Sequence, residues 1–175
     1  MATTTWIIDP THSEIQFKVK HLVISTVTGS FKNFEGQLST ENEDFDNAAV
    51  SFNADVNSID TNQAQRDEHL KSADFFESDK YPKITFNGTL HKKGGDDYTL
   101  KGDLTVKDVT KPFEFKVEYG GNMTDFYGNN KSGFEISGKL NRKEYGLTWG
   151  AVTETGGVVV GDDIKLIANI QVVKQ

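Results

Sequence analysis

The stretch ITFNGTLHKKGGDDYTLKGDLTV, residues 84–106, decides the fold. Ile84, Phe86, Gly88 and Leu90 alternate with Thr85, Asn87 and Thr89, the period of a strand with one face buried and one wet. Residues 92–97 then supply Gly94 and Gly95 among polar neighbours, and glycines accept the positive φ of a hairpin turn. Tyr98, Leu100, Gly102, Leu104 and Val106 return in the same alternation. Two such runs joined by a tight turn make antiparallel sheet.

The pattern spreads outward from this hairpin. Upstream, Ile15, Phe17 and Val19 alternate with charged or amide residues, and Val50, Phe52 and Ala54 repeat the pattern. Between them Gly29 and Gly36 bracket a second strand carrying Phe31 and Phe34, with bends at the glycines. Residues 21–27, HLVISTV, break the alternation and read as a helical turn. Downstream, Phe113 and Phe115, then Phe134, Ile136 and Leu140, then Ile164, Leu166 and Ala168 continue it. Thr148-Trp149-Gly150 reads as an apolar continuation after a tight turn.

The count is about eight strands, mostly sequential and joined by short turns. That is all-β architecture, either a closed antiparallel barrel or a two-sheet sandwich. Closure is favoured because it removes edge strands. No linker or composition shift divides the chain, so residues 1–175 read as one domain.

One segment departs from strand period. Residues 63–86, QAQRDEHLKSADFFESDKYPKITF, read as a short helix near 63–71, an aromatic pair at Phe75 and Phe76, and a charged loop. Pro82 then suits a strand start, because it cannot donate a ladder bond. Charge and apolar bulk meet here, as in a lid or rim.

Composition excludes several functions. With no cysteine, thiol catalysis and cysteine-ligated metals are absent. A net charge of -7 with no basic patch interleaved with aromatics argues against nucleic acid. No apolar run approaches the roughly 20 residues of a membrane-spanning helix. The start MATTTWIIDP lacks a basic segment and an apolar core, so a cytoplasmic location is expected. His12, His21, His69 and His91 lack metal-ligand spacing, and no metal or cofactor is expected. Arg66, Asp67 and His69 offer an acid–base cluster, yet no nucleophile or Gly-rich loop accompanies them, and a structural ion-pair network is the reading preferred. Oligomeric state is not encoded in these patterns, and a homodimer is allowed.

Most of the twelve phenylalanines fall on the inward phase, among them Phe17, Phe52, Phe86, Phe113, Phe115 and Phe134. They fill a solid core or wall an apolar channel. Gly88, Gly102 and Gly138 fall in the inward phase, where small residues either leave space for a channel or mark bends at barrel corners. A slender hydrocarbon ligand suits such a tube, with Arg66 and His69 facing its polar head.

Several segments carry a family resemblance. RDEHLKSADFFESDKYPKITF (66–86) resembles the signature of the YceI-like polyisoprenoid-binding family. DPTHSEIQFKVKH (9–21), GSFKNFEG (29–36), LTVKDVTKPFEF (104–115) and NRKEYGLTWG (141–150) are similar to further family segments, in the same order. The resemblance implies an extended lipocalin-like antiparallel β-barrel holding a long isoprenoid-type lipid, or in some relatives an amide or fatty-acid-like one. It implies binding, transport or storage in bacteria, and no catalytic residues. It maps the pocket wall onto Phe17, Val19, Phe31, Phe34, Phe52, Phe86, Leu104, Phe115, Phe134 and Trp149, with the lid at Leu70, Phe75 and Phe76. Many relatives are exported, a pattern from which this sequence departs. The alternatives are a β-sandwich module that binds protein or carbohydrate, and a lipid-modifying enzyme using Arg66, Asp67 and His69.

Overall fold

The alternating runs become eleven strands in a computed structural model that describes residues 3–21, 24–42, 44–147 and 160–175. They are β1 (Thr4–Ile8), β2 (Glu14–His21), β3 (Ser25–Phe31), β4 (Phe34–Thr40), β5 (Ala49–Asp55), β6 (Ile59–Asp60), β7 (Lys83–Gly94), β8 (Asp97–Val106), β9 (Val109–Thr124), β10 (Asn130–Asn141) and β11 (Val160–Lys174). One helix, α1 (Ala64–Lys71), lies between β6 and β7. The 84–106 hairpin forms as read, with Gly88 opposite Gly102, Leu90 opposite Leu100, and Gly95 at φ 57 in the turn.

Every pairing is antiparallel, and the sheet closes where β1 meets β11, Trp6 opposite Lys174 and Ile8 opposite Val172. Eleven strands occupy eight wall positions. β2 extends the line of β1 along β11, β3 extends β4, and β6 extends β5. These three wall lines are interrupted at one level, between Ile8 and Glu14, Phe31 and Phe34, and Asp55 and Ile59. Pro10 explains the first gap, since proline has no N–H for the ladder. Ser13 repairs it: its hydroxyl accepts the Gln171 N–H at 2.9 Å. At the other gaps, the Lys32 N–H reaches the Ser58 carbonyl at 3.1 Å and the Asp55 N–H reaches the Asn33 carbonyl at 2.9 Å.

Two expectations need correction. Residues 25–27 belong to β3, with Val27 opposite Val19, and make no helical turn. Cross-strand pairing there outweighs the local loss of alternation. The inward glycines do not open a channel either. A Cβ on Gly102 would overlap the Asn87 carbonyl oxygen, and one on Gly138 would lie 2.9 Å and 3.0 Å from the Phe113 and Phe115 rings. These glycines admit close backbone approach and seat aromatic rings.

The two barrel ends differ. One carries the 41–48 connection, the tight turns after β7 and β9, and both chain termini. The other carries α1 with the 72–82 segment, the Lys107–Asp108 turn and the 3-10 turn Arg142–Tyr145.

Candidate functional site: an apolar cavity inside the barrel

Alternation sends one side chain in two to the barrel interior, and most of those are apolar. At the first end they close into a floor. Phe45 dips from the acidic 41–46 connection and is 5% exposed. Its ring lies 5.3 Å from Trp6, 5.7 Å from Tyr119 and 5.0 Å from Phe134, centroid to centroid. Burial raises the Tyr98 phenol above its ordinary range, and a backbone hydrogen bond from Phe45 opposes that rise. The bond ties the connection to β8. Trp6 Nε1 is buried without a hydrogen-bond partner.

Above this floor the wall encloses a cavity of about 240 Å³. Side chains from strands all round the barrel line it, together with Leu70, Phe75 and Phe76 from the helix end. Toward that end Val19, Ile84, Ile164 and Leu166 keep part of their surface accessible, whereas Leu38, Leu90 and Val172 toward the floor are buried. Phe45 with Trp6, Tyr119 and Phe134 thus caps the cavity at the end away from the helix.

Backbone bonds fix the aromatic pair. The Phe75 N–H reaches the Ser72 carbonyl at 3.0 Å and the Phe76 N–H reaches the Leu70 carbonyl at 3.0 Å. Phe75 is core, 6% exposed, while Phe76 is half-buried and meets Phe31 edge-on at 6.2 Å.

Of the residues read as ligand-binding, Phe17, Val19, Phe31, Phe52, Leu70, Phe75, Phe76, Phe86, Leu104, Phe115 and Phe134 line the cavity. Phe34 does not; it lies against Phe52 at 6.3 Å, outside the lining. Trp149 lies outside the described residues.

Arg66 and His69 are placed elsewhere than the sequence reading put them. Arg66 donates from Nε to the Thr61 hydroxyl at 2.7 Å and from its fork to the Thr61 carbonyl. Asp67 accepts the Thr61 N–H at 2.8 Å and the Thr61 hydroxyl. The pair clamps buried Thr61 at the start of the helix instead of facing the cavity. His69 Nε2 is 2.8 Å from Asp74 Oδ2 and its ring meets Phe75 edge-on at 5.2 Å, on the rim. The acid–base cluster is therefore spread over two local structures.

The sequence reading missed Arg142. It looked like one residue of a polar turn, yet it is 2% exposed and is the one charged residue in the described cavity lining. Nε donates to the Gly161 carbonyl at 2.9 Å and Nη1 to the Leu147 carbonyl at 2.6 Å. Burial lowers its pKa, partly offset by Asp162. Among the described residues no cluster of three or more His, Asp or Glu could hold a metal ion.

A family model described as the YceI-like domain matches residues 6–172. The chain belongs to the YceI-like family. This YceI-like protein is similar to a UPF0312 protein of Staphylococcus aureus, 36% identical over 169 residues that span 96% of each chain. A UPF0312 protein of Pectobacterium atrosepticum is 37% identical over 164 residues, covering 94% of this chain and 82% of that one. Among solved structures, Campylobacter jejuni YceI protein is similar at TM-score 0.76 and 29% identity, covering 89% and 90% of the two chains. Burkholderia cenocepacia BcnA shares the fold at TM-score 0.81 and 20% identity, covering 94% and 98%. A polyisoprenoid binding domain from Saccharophagus degradans shares it at TM-score 0.70 and 15% identity, covering 97% and 98%. The expected closed lipocalin-like barrel with one short helix is the fold observed, and the sandwich alternative falls.

Proposed function

We propose that this YceI-like protein holds one long apolar lipid chain inside the barrel and carries or stores it without chemical change. One observation carries the reading: a cavity of about 240 Å³ within the barrel whose described lining has a single charged side chain, Arg142. A hydrocarbon wall recognises hydrocarbon. Each buried CH₂ contributes about 0.8 kcal/mol, so ten carbons supply roughly 8 kcal/mol before the cost of ordering the ligand.

The Saccharophagus degradans domain that shares this fold is described as polyisoprenoid-binding, which supports an isoprenoid as the ligand class. An acyl chain meets the same physical requirement. The volume lies below the roughly 300–1,000 Å³ typical of ligand pockets, so the ligand is slender and a longer chain is admitted by movement of Leu70 and Phe76. No cofactor or catalytic group enters this reading.

The test is organic extraction of protein purified without detergent, followed by mass spectrometry and by titration with prenyl and acyl probes. A co-purifying prenyl or acyl lipid, or saturable binding of such a probe at one site, is expected. Absence of both sinks the proposal.

A further inference from the structure

We infer that the outer face of β2, β11 and β10 docks on the surface of an anionic lipid bilayer. This rests on the proposed lipid carriage and adds where the lipid is exchanged. The ladder sets three outward lysines side by side, Lys165 opposite Lys18 and Lys139 opposite Lys165. Like charges directly opposite across a ladder are destabilising. Lys139 has Asp163 at 3.3 Å. Lys18 and Lys165 have no ion pair among the described residues, and neither does Lys20, the next outward position along β2.

These strands border a trough of about 1020 Å³ whose lining holds six lysines and three acids. That is a local excess of three positive charges on a chain of net charge -7. A positive cluster kept against the charge of the whole chain points to an anionic partner.

The β2–β3 hairpin decides which one. Its inward face gives Phe17, Val19 and Phe31 to the cavity wall. Its outward face carries Lys18 and Lys20. Between its strands Ile24 stands 88% exposed. An aliphatic tip beside lysines matches a membrane interface, with the apolar residue in the acyl boundary and ammonium groups among the headgroups. A nucleic acid or an acidic protein would account for the lysines alone. Ile24 also lies at the helix end of the barrel, where Val19, Ile164 and Leu166 of the cavity wall are only half-buried. A chain leaving there passes into the bilayer with little exposure to water.

Co-sedimentation tests this, using vesicles of phosphatidylcholine alone and of equimolar phosphatidylcholine and phosphatidylglycerol, at low and high salt. The expected result is binding to the anionic vesicles only, weakened by salt. Lys18→Gln/Lys165→Gln lowers that affinity about thirtyfold. Ile24→Ser also lowers it, with the salt dependence unchanged because no charge is altered. Binding of a fluorescent acyl probe stays at wild-type level in both variants, and neither melts below wild type, the double lysine variant melting slightly higher as the opposed charges are removed. Equal sedimentation with both vesicle types, no sedimentation at all, or a double lysine variant matching wild type overturns the inference. So does binding of polyglutamate or an oligonucleotide without binding to vesicles. Loss of acyl-probe binding in the wild type counts against the carriage proposal instead, and leaves the vesicle result to be read separately.

Discussion

The Phe45 ring meets the Phe134 ring edge-on, with centroids 5.0 Å apart and planes at 81°. One comes from a loop and the other from the cavity wall, so the contact joins the loop to the wall and, with those of Phe45 to Trp6 and Tyr119, makes the barrel floor. Phe45→Ala is expected to cost about 3 kcal/mol in urea denaturation, as a large core truncation. It also deepens the cavity, so the preferred acyl-probe length shifts upward in a chain-length series. An unchanged length preference would mean that the ligand never reaches the floor.

Phe75 and Phe76 adjoin in sequence but differ in burial. Phe76→Ala is expected to lower probe affinity about tenfold while costing under about 1.5 kcal/mol of stability, since the half-buried ring gives up less packing. Phe75→Ala is expected to cost about 3 kcal/mol because its ring belongs to the core. Paired probe titrations and urea melts separate the two. If both variants lose stability and affinity in proportion, the segment is core throughout.

The Asp9 carboxylate ties the turn after β1 to β10. Its carboxylate is 2.8 Å from His12 Nδ1 and 3.0 Å from Lys131 Nζ. Burial pushes its pKa up, but hydrogen bonds from His12, Thr11 and Lys131 outweigh this and hold it well below the ordinary range. A carboxyl with a depressed folded pKa contributes stability above its unfolded value, about pH 4, and loses it as pH falls through the lower folded value. Asp9→Asn is expected to cost about 2 kcal/mol at neutral pH and to flatten the acid limb of stability below about pH 4. Urea midpoints measured from neutral to strongly acid pH check both; parallel wild-type and variant curves would remove Asp9 as the cause.

Arg142 is held by two backbone carbonyls, that of Leu147 just after its own turn and that of Gly161 on β11. Arg142→Met is expected to cost about 3 kcal/mol or more, because buried acceptors lose their donors. Arg142→Lys is expected to recover little, since an ammonium cannot reproduce the guanidinium fork. Denaturant titration of both variants is the check, and full recovery by lysine would show that charge alone suffices.

Much of the wall was legible because period-2 alternation reports burial directly, and the helix was legible because residues 63–71 break that period. The interruptions were not, because pairing across β3 and β6 depends on residues far apart in the chain. Phe45 sat unnoticed in an acidic connection, although a lone large apolar residue among Glu41, Asp44 and Asp46 is itself a burial signal. Arg142 was hidden by its polar neighbours; Leu140, Tyr145 and Leu147 around it were the available hint. Arg66 looked like a partner for a polar head because sequence gives proximity but not direction; its side chain, like that of Asp67, turns to Thr61 in the structural role also read for the pair. The inward glycines misled for a similar reason: an absent side chain leaves room, and adjacent rings or backbone take it.

The three interruptions at one level have a mechanical consequence. Half of the circumference, β7 to β10, is made of continuous strands 10 to 16 residues long. The other side, β1 to β6, is made of segments of two to eight residues. Short ladders open at lower free energy than long ones. Amide hydrogen exchange is therefore expected to be faster around the breaks than in β8 and β9, and uniform protection would contradict this. The barrel is stiff on one side and compliant on the other, and the compliant half is the one that carries the basic hairpin.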